Sequence, residues 1–128
     1  MIAVDTSALM AILLNEPEAD GCVAALVAED RVLISAGTAA EALIVAAQRG
    51  VGAEMERLMN GLGFEVVTMT AAAAWRIAAV YGRWGKGLHP AGLNFGDCFA
   101  YEVAREHDCP LLFVGADFAR TDIRPALV

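Results

Sequence analysis

Short apolar runs alternate with stretches in which apolar residues recur every three or four positions. The first run, residues 2–4, ends at Asp5-Thr6-Ser7. Thr6 or Ser7 can cap a helix that carries Leu9, Ile12 and Leu13 at helical spacing. Asn15-Glu16-Pro17 stops it, and Pro17 suits the first turn of a second helix with Cys22, Val23, Leu26 and Val27 inward. Val32-Leu33-Ile34-Ser35 reads as a second strand. Thr38-Ala39-Ala40-Glu41 then matches the capping box S/T-x-x-E, so a helix is expected from Thr38 to Gly50. A further helix is expected over residues 53–60 and a third strand over 64–67. Thr70 caps a long helix through Trp75, Ile77 and Tyr81. After a Gly- and Pro-containing loop at 85–93, Asn94 caps a helix with Asp97 at its third position. Residues 111–114 form a fourth apolar strand, and the tail 123–128 is a candidate fifth.

Strands that alternate with helices imply an α/β fold, a parallel sheet covered by helices on both faces. The expectation is a three-layer αβα sandwich of four to five strands, built as one domain over residues 1–128. Parallel strands with crossover helices put every strand end, and every helix start that follows, on one edge. That edge is where open α/β sheets bind ligands. Asp5, Glu41, Asp97 and Asp117 all fall there.

Each acid alone has a structural explanation. Glu41 and Asp97 occupy capping-box positions, and Asp5 and Asp117 suit turns or N-caps. The set is harder to explain that way. Two unit charges roughly 5 Å apart repel by about 3 kcal/mol at an effective dielectric near 20. Four such groups at one edge call for a cation or shared protons. Hard divalent ions prefer all-oxygen sites, and no histidine joins the set to suggest zinc. Metal-assisted phosphate chemistry follows as the expected activity. Other strand-end acid sites fit less well. Ser7 stands where a dehalogenase-like phosphatase motif needs its second Asp. The only lysine, Lys86, is misplaced for a receiver domain. No GxGxxG or Walker A sequence occurs.

Composition adds limits. The chain has 128 residues, is 58% hydrophobic and carries a net charge of −7. No apolar run approaches the roughly 18 residues of a membrane span, and the N-terminus lacks a basic signal-peptide region. A soluble, cytoplasmic protein is expected. The net charge argues against non-specific nucleic-acid binding. Yet residues 66–96 contain Arg76, Arg83 and Lys86 and no acid, with His89 beside them. That window is either a solvated helix face or a contact for an RNA backbone. Cys22, Cys98 and Cys109 are odd in number and lack CxxC spacing, so reduced buried thiols are expected.

The segments VDTSAL, LNFGDCFAYEVA and LLFVGADFARTDI, with an isolated Glu41 between them, together resemble the PIN-domain ribonucleases. More narrowly they resemble the VapC toxins of bacterial type II toxin–antitoxin modules. The likeness runs in order through nearly the whole chain. It implies a PIN-like fold and an endoribonuclease dependent on Mg²⁺ or Mn²⁺. It also implies a homodimer, a VapB-type antitoxin that inhibits the enzyme, and an RNA substrate of the tRNA or rRNA class. Carried onto this sequence, the catalytic acids are Asp5, Glu41, Asp97 and Asp117, with metal held by Asp5, Asp97 and Asp117. Thr6 or Ser7 supplies a supporting hydroxyl. Thr121 and Asp122 match the family's TD pair, Asp122 either orienting a ligand or capping the turn after Phe118. Ala116 stands where many relatives have a polar residue. Arg83, Lys86 and His89 are candidate RNA clamps. Met10, Leu13, Leu14 and Val23 are candidates for an apolar antitoxin groove or for ordinary core, and Trp75 and Trp84 for core or dimer contacts. The competing readings are a PIN nuclease of RNA processing without an antitoxin, a catalytically inactive binding module, and a metal phosphatase for small molecules.

Overall fold

Three of the four strands are only two or three residues long, yet they order the molecule. The structure is a computed structural model that describes residues 1–127. In chain order the elements are β1 (Ile2–Val4), α1 (Thr6–Leu13), α2 (Ala19–Val27), β2 (Val32–Ser35), α3 (Ala36–Gln48), α4 (Gly52–Gly61), β3 (Glu65–Val67), α5 (Ala71–Trp84), α6 (Phe95–Glu106) and β4 (Leu111–Leu112). A 3₁₀ turn follows at Phe118–Arg120. The sheet is parallel throughout, in the order β3-β2-β1-β4.

The alternation of side chains along the strands divides the core in two. Ile2, Val4, Val32, Ile34 and Leu112 pack with α1 to α4. Ala3, Leu33 and Leu111 face the other way, against α5 and α6. This is the expected αβα sandwich, with four strands. Burying side chains such as Leu9, Leu33, Leu93 and Leu111 completely contributes about 1.5–3 kcal/mol each. Trp84 is buried, whereas Trp75 is 81% exposed and takes no part in the core. Met10 is buried, Leu13 and Leu14 pack partly against the core, and Val23 is exposed. All three cysteines are free and buried.

Four expectations are corrected. The third helix starts at Ala36, with Ser35 as its N-cap accepting from the Gly37 amide at 3.2 Å. Thr38 therefore caps nothing, and Glu41 lies a full turn inside the helix. Asp5, and neither Thr6 nor Ser7, is the N-cap of α1. The fourth strand stops at Leu112 because the Val114 amide leaves the sheet and donates to Ser7 Oγ at 3.0 Å. The tail makes a single bridge, Pro125 to Leu111, in place of a fifth strand. The last residue of that expected strand, Val128, lies outside the described residues. No helix among the described residues is long and apolar enough to cross a membrane.

Candidate active site

The centre of the sheet delivers the first acid. The Asp5 amide still bonds to Leu112 O at 2.9 Å, and its side chain turns onto the first amides of α1. Asp5 Oδ2 accepts from the Ser7 amide at 3.1 Å and from Ser7 Oγ at 2.7 Å. Ser7 Oγ in turn accepts from the Val114 amide, so one hydroxyl joins the ends of β1 and β4. Asp5 is 4% exposed, and its Oδ1 is buried with no hydrogen-bond partner. Such an orphaned oxygen is costly unless something outside the chain satisfies it.

Glu41 reaches the same edge from α3. Thr6 Oγ1 donates to Glu41 Oε1 at 2.6 Å, which fixes the carboxylate. The other oxygen sits above Gly96 in the first turn of α6. A Cβ on Gly96 would lie 1.9 Å from Glu41 Oε2. Gly96 is thus a site residue that the sequence reading passed over. Its signal was there: glycine in a first helical turn is intrinsically unfavourable and asks for a packing reason. Asp97 follows it in the capping box with Asn94. Asp97 Oδ2 accepts from the Asn94 amide at 3.0 Å, while Asn94 Oδ1 accepts from the Asp97 amide at 2.9 Å. Asp117 is exposed, in the turn after β4.

The four acids feel one another. Burial pushes the Asp5 carboxyl up to about 6 against the lowering effect of Ser7, and the charges of Asp97 and Glu41 push it further. Burial likewise raises Asp97 to about 6, opposed by the Asn94 amide and assisted by Asp117 and Glu41. No Lys or Arg is paired with any of the four among the described residues. Among the described residues, no three Asp, Glu, His or Cys side chains converge closely enough to enclose an ion. The expected ligands therefore do not form a closed cage. Like charges without a cation between them repel, and Ser7, Thr6 and Asn94 hold three of them in separate positions. An all-oxygen set with an orphaned buried carboxylate oxygen fits a hard divalent cation that keeps some of its water.

The remaining candidates lie elsewhere or serve the fold. Thr121 Oγ1 donates to Phe118 O at 2.7 Å and accepts from the Ile123 amide at 3.2 Å, so Thr121 closes the 3₁₀ turn. Asp122 does not cap that turn. Its Oδ1 accepts from the Tyr101 hydroxyl, and its Oδ2 lies between Arg83 and Arg105. Arg83 stacks over Trp84, 4.6 Å from the ring centroid. His89 Nδ1 accepts from the Ala91 amide at 3.0 Å, and its ring meets Trp84 edge-on. His89 thus braces the loop. Lys86 is exposed.

Comparison with known proteins agrees with this layout. The PIN-domain family profile matches residues 2–124. Ribonuclease VapC30 of Mycobacterium tuberculosis is 41% identical over 125 residues, 95% of either chain. Ribonuclease VapC36 of the same species is 44% identical over 124 residues, 94% of this chain and 89% of that one. Ribonuclease VapC of Mycolicibacterium smegmatis is 37% identical over 126 residues, 95% of this chain and 97% of its own. Two solved structures share the fold. Mycobacterium tuberculosis VapC20, a sarcin–ricin-loop-cleaving toxin, superposes with a TM-score of 0.74 at 17% identity, covering 98% of this chain and 100% of that one. A toxin–antitoxin complex from Klebsiella pneumoniae gives 0.72 at 21% identity, covering 100% of this chain and 96% of that one. PIN-domain ribonucleases generally depend on a divalent metal. With its four acids at one sheet edge and full-length likeness to these ribonucleases, the chain belongs to the PIN-domain family, within its VapC ribonuclease branch.

Proposed function

We propose that this protein is the toxin of a VapBC-like type II module. On this reading residues 1–128 act as one domain, a cytoplasmic endoribonuclease that uses Mg²⁺ or Mn²⁺ to hydrolyse phosphodiester bonds of tRNA or rRNA and so inhibits translation. The observation that carries it is the uncompensated acid edge: Asp5 buried, partnered by no cation, with one oxygen unsatisfied.

Asp5, Asp97 and Asp117 would hold the ion. When bound, a divalent ion supplies a Lewis acid for the phosphoryl oxygen and acidifies water. The chain's own residues do the positioning. Thr6 holds one oxygen of Glu41 at 2.6 Å, leaving the other beside Gly96 to orient the attacking water and take its proton. Ser7 keeps Asp5 in one rotamer. In-line attack breaks the bond to the 3′ oxygen and leaves a 5′-phosphate and a 3′-hydroxyl. A cognate antitoxin with basic side chains is attracted to the same edge, and the exposed Val23 and Val27 on α2 offer it an apolar contact. The homodimer reading is supported by an apolar hollow of about 410 Å³ flanked by exposed Ile44 and Phe95.

The test is cleavage of a panel of structured RNAs with Mg²⁺, Mn²⁺ or EDTA, beside Asp5→Asn. Metal-dependent cleavage that vanishes in the variant is expected. Cleavage that survives Asp5→Asn, or a wild-type protein that neither cuts RNA nor binds Mn²⁺, would sink the reading.

A further inference from the structure

A second charged feature lies further along α6. A cleft of about 260 Å³ opens between α5 and α6, lined by Arg76, Arg83, Trp84, Tyr101, Arg105 and neighbouring residues. Its three guanidinium groups are not equivalent. Arg76 Nε donates to the buried Glu102 at 2.9 Å and lies 3.3 Å from Glu106 Oε2, so it is neutralised. Arg83 and Arg105 share one oxygen, Asp122 Oδ2, at 3.9 and 3.7 Å. Both distances exceed hydrogen-bond length. The other Asp122 oxygen is taken by the Tyr101 hydroxyl, which itself accepts from Trp84 Nε1 at 3.1 Å. Asp122 is therefore held as an anion between two arginines whose donors it does not satisfy.

Two arginines and one carboxylate leave one positive charge at this end of the cleft. Both arginine side chains stay accessible, and stacking on Trp84 restrains Arg83 in advance. Paired guanidinium forks are suited to a phosphate, which offers several acceptor oxygens where Asp122 offers one. The position also matters. Tyr101 and Arg105 follow Asp97 by one and two helical turns, about 6 and 12 Å along the same helix. An RNA strand with one phosphodiester at Asp97 can thus place a neighbouring phosphate at the cleft.

We infer that Arg83 and Arg105 form a phosphate-binding subsite for the RNA strand beside the cut bond, with Asp122 as a built-in anion that the phosphate displaces. The inference rests on the ribonuclease reading. The substrate gains a cationic handle on a protein of net charge −7, and Asp122 offsets half of that handle's charge when RNA is absent.

Anisotropy of a fluorescent RNA stem-loop, titrated in EDTA at several salt concentrations, tests it. Arg83→Ala and Arg105→Ala should each weaken binding about 5- to 10-fold and lower the slope of log K against log salt by about 0.7–0.9. Arg105→Lys should restore the slope. Asp122→Asn, which keeps an acceptor for Tyr101, should tighten binding about threefold or more; a purely structural Asp122 would give weaker binding instead. Mn²⁺ affinity should stay unchanged in all four, and thermal melting checks folding. If wild type cuts RNA while the folded arginine variants bind with its affinity and slope, the subsite is wrong and the ribonuclease reading stands. If wild type neither binds nor cuts any RNA, both fall together.

Discussion

Asp5 and Glu102 are both buried carboxylates, 4% and 6% exposed, and the molecule treats them oppositely. Glu102 meets a guanidinium at 2.9 Å on its own layer of the sandwich. Asp5 meets two donors from Ser7, two further acids within electrostatic range, and no cation. Burying a charge is expensive unless it is paired. The first arrangement answers that cost inside the chain, as part of the α5–α6 interface. The second leaves it open, as a receptor for a cation must. Burial alone does not mark a functional acid; burial without an internal counter-charge does.

The sharpest way to break this comparison is to neutralise each acid edge member in turn. Asp97→Asn should lower RNA cleavage at least about a hundredfold, because it removes charge at the reacting edge. The same change should raise the melting temperature of the metal-free protein, since it relieves like-charge repulsion; a cleavage assay and calorimetry on one sample read both signs. Gly96→Ala comes next. The added methyl needs the space of Glu41 Oε2, and misplacing a catalytic group by about 1 Å can cost roughly a hundredfold. Helix propensity favours alanine there by about 0.5–1 kcal/mol, so activity should fall while the helix does not weaken.

Arg76→Ala probes the opposite member of the pair. It strands Glu102 and should lower the urea midpoint of unfolding, with Mn²⁺ affinity untouched. The smallest effect is on pH. Asp5 and Asp97 titrate near 6 in the folded chain, above the 3.8 of a free aspartate. Native-state proton binding therefore exceeds that of the unfolded chain between these values. The stability tied to this pair is fully present below about 3.8 and is lost as pH rises through about 6. Melting of the metal-free protein at pH 5 and pH 7 should show the pair's contribution falling toward pH 7, and saturating Mn²⁺ should remove the difference. A flat profile without metal would mean that burial does not hold the two carboxyls above their ordinary range.

Much of this was legible in the chain. Apolar runs closed by Asp5, Ser35 and Gly115, with the mixed segment 64–67, gave the strands and their common edge. Asn94 with Asp97, and Thr70 before its helix, marked their caps correctly, because a cap depends on residues a few positions apart. The errors had one local and one long-range origin. Thr38-x-x-Glu41 satisfied the capping-box pattern, but Ser35 captured the helix start one turn earlier, where the strand ended. The fourth strand ran out early because Ser7, 107 positions away, claimed the amide of Val114.

The sequence by itself determined the element types, the parallel sheet and the gathering of four acids, since periodicity and crossover handedness are local or general rules. Only the tertiary structure decided which of the other polar residues belonged with them. Thr6 joined Glu41, and Gly96 made room for it. Asp122, five positions after Asp117 in the sequence, went instead to Tyr101 and two arginines. The physical reason is range. A side-chain hydrogen bond or an ion pair is chosen over a few ångströms of space, and contacts across 21, 35 or 107 positions exist only once the sheet has brought those segments together.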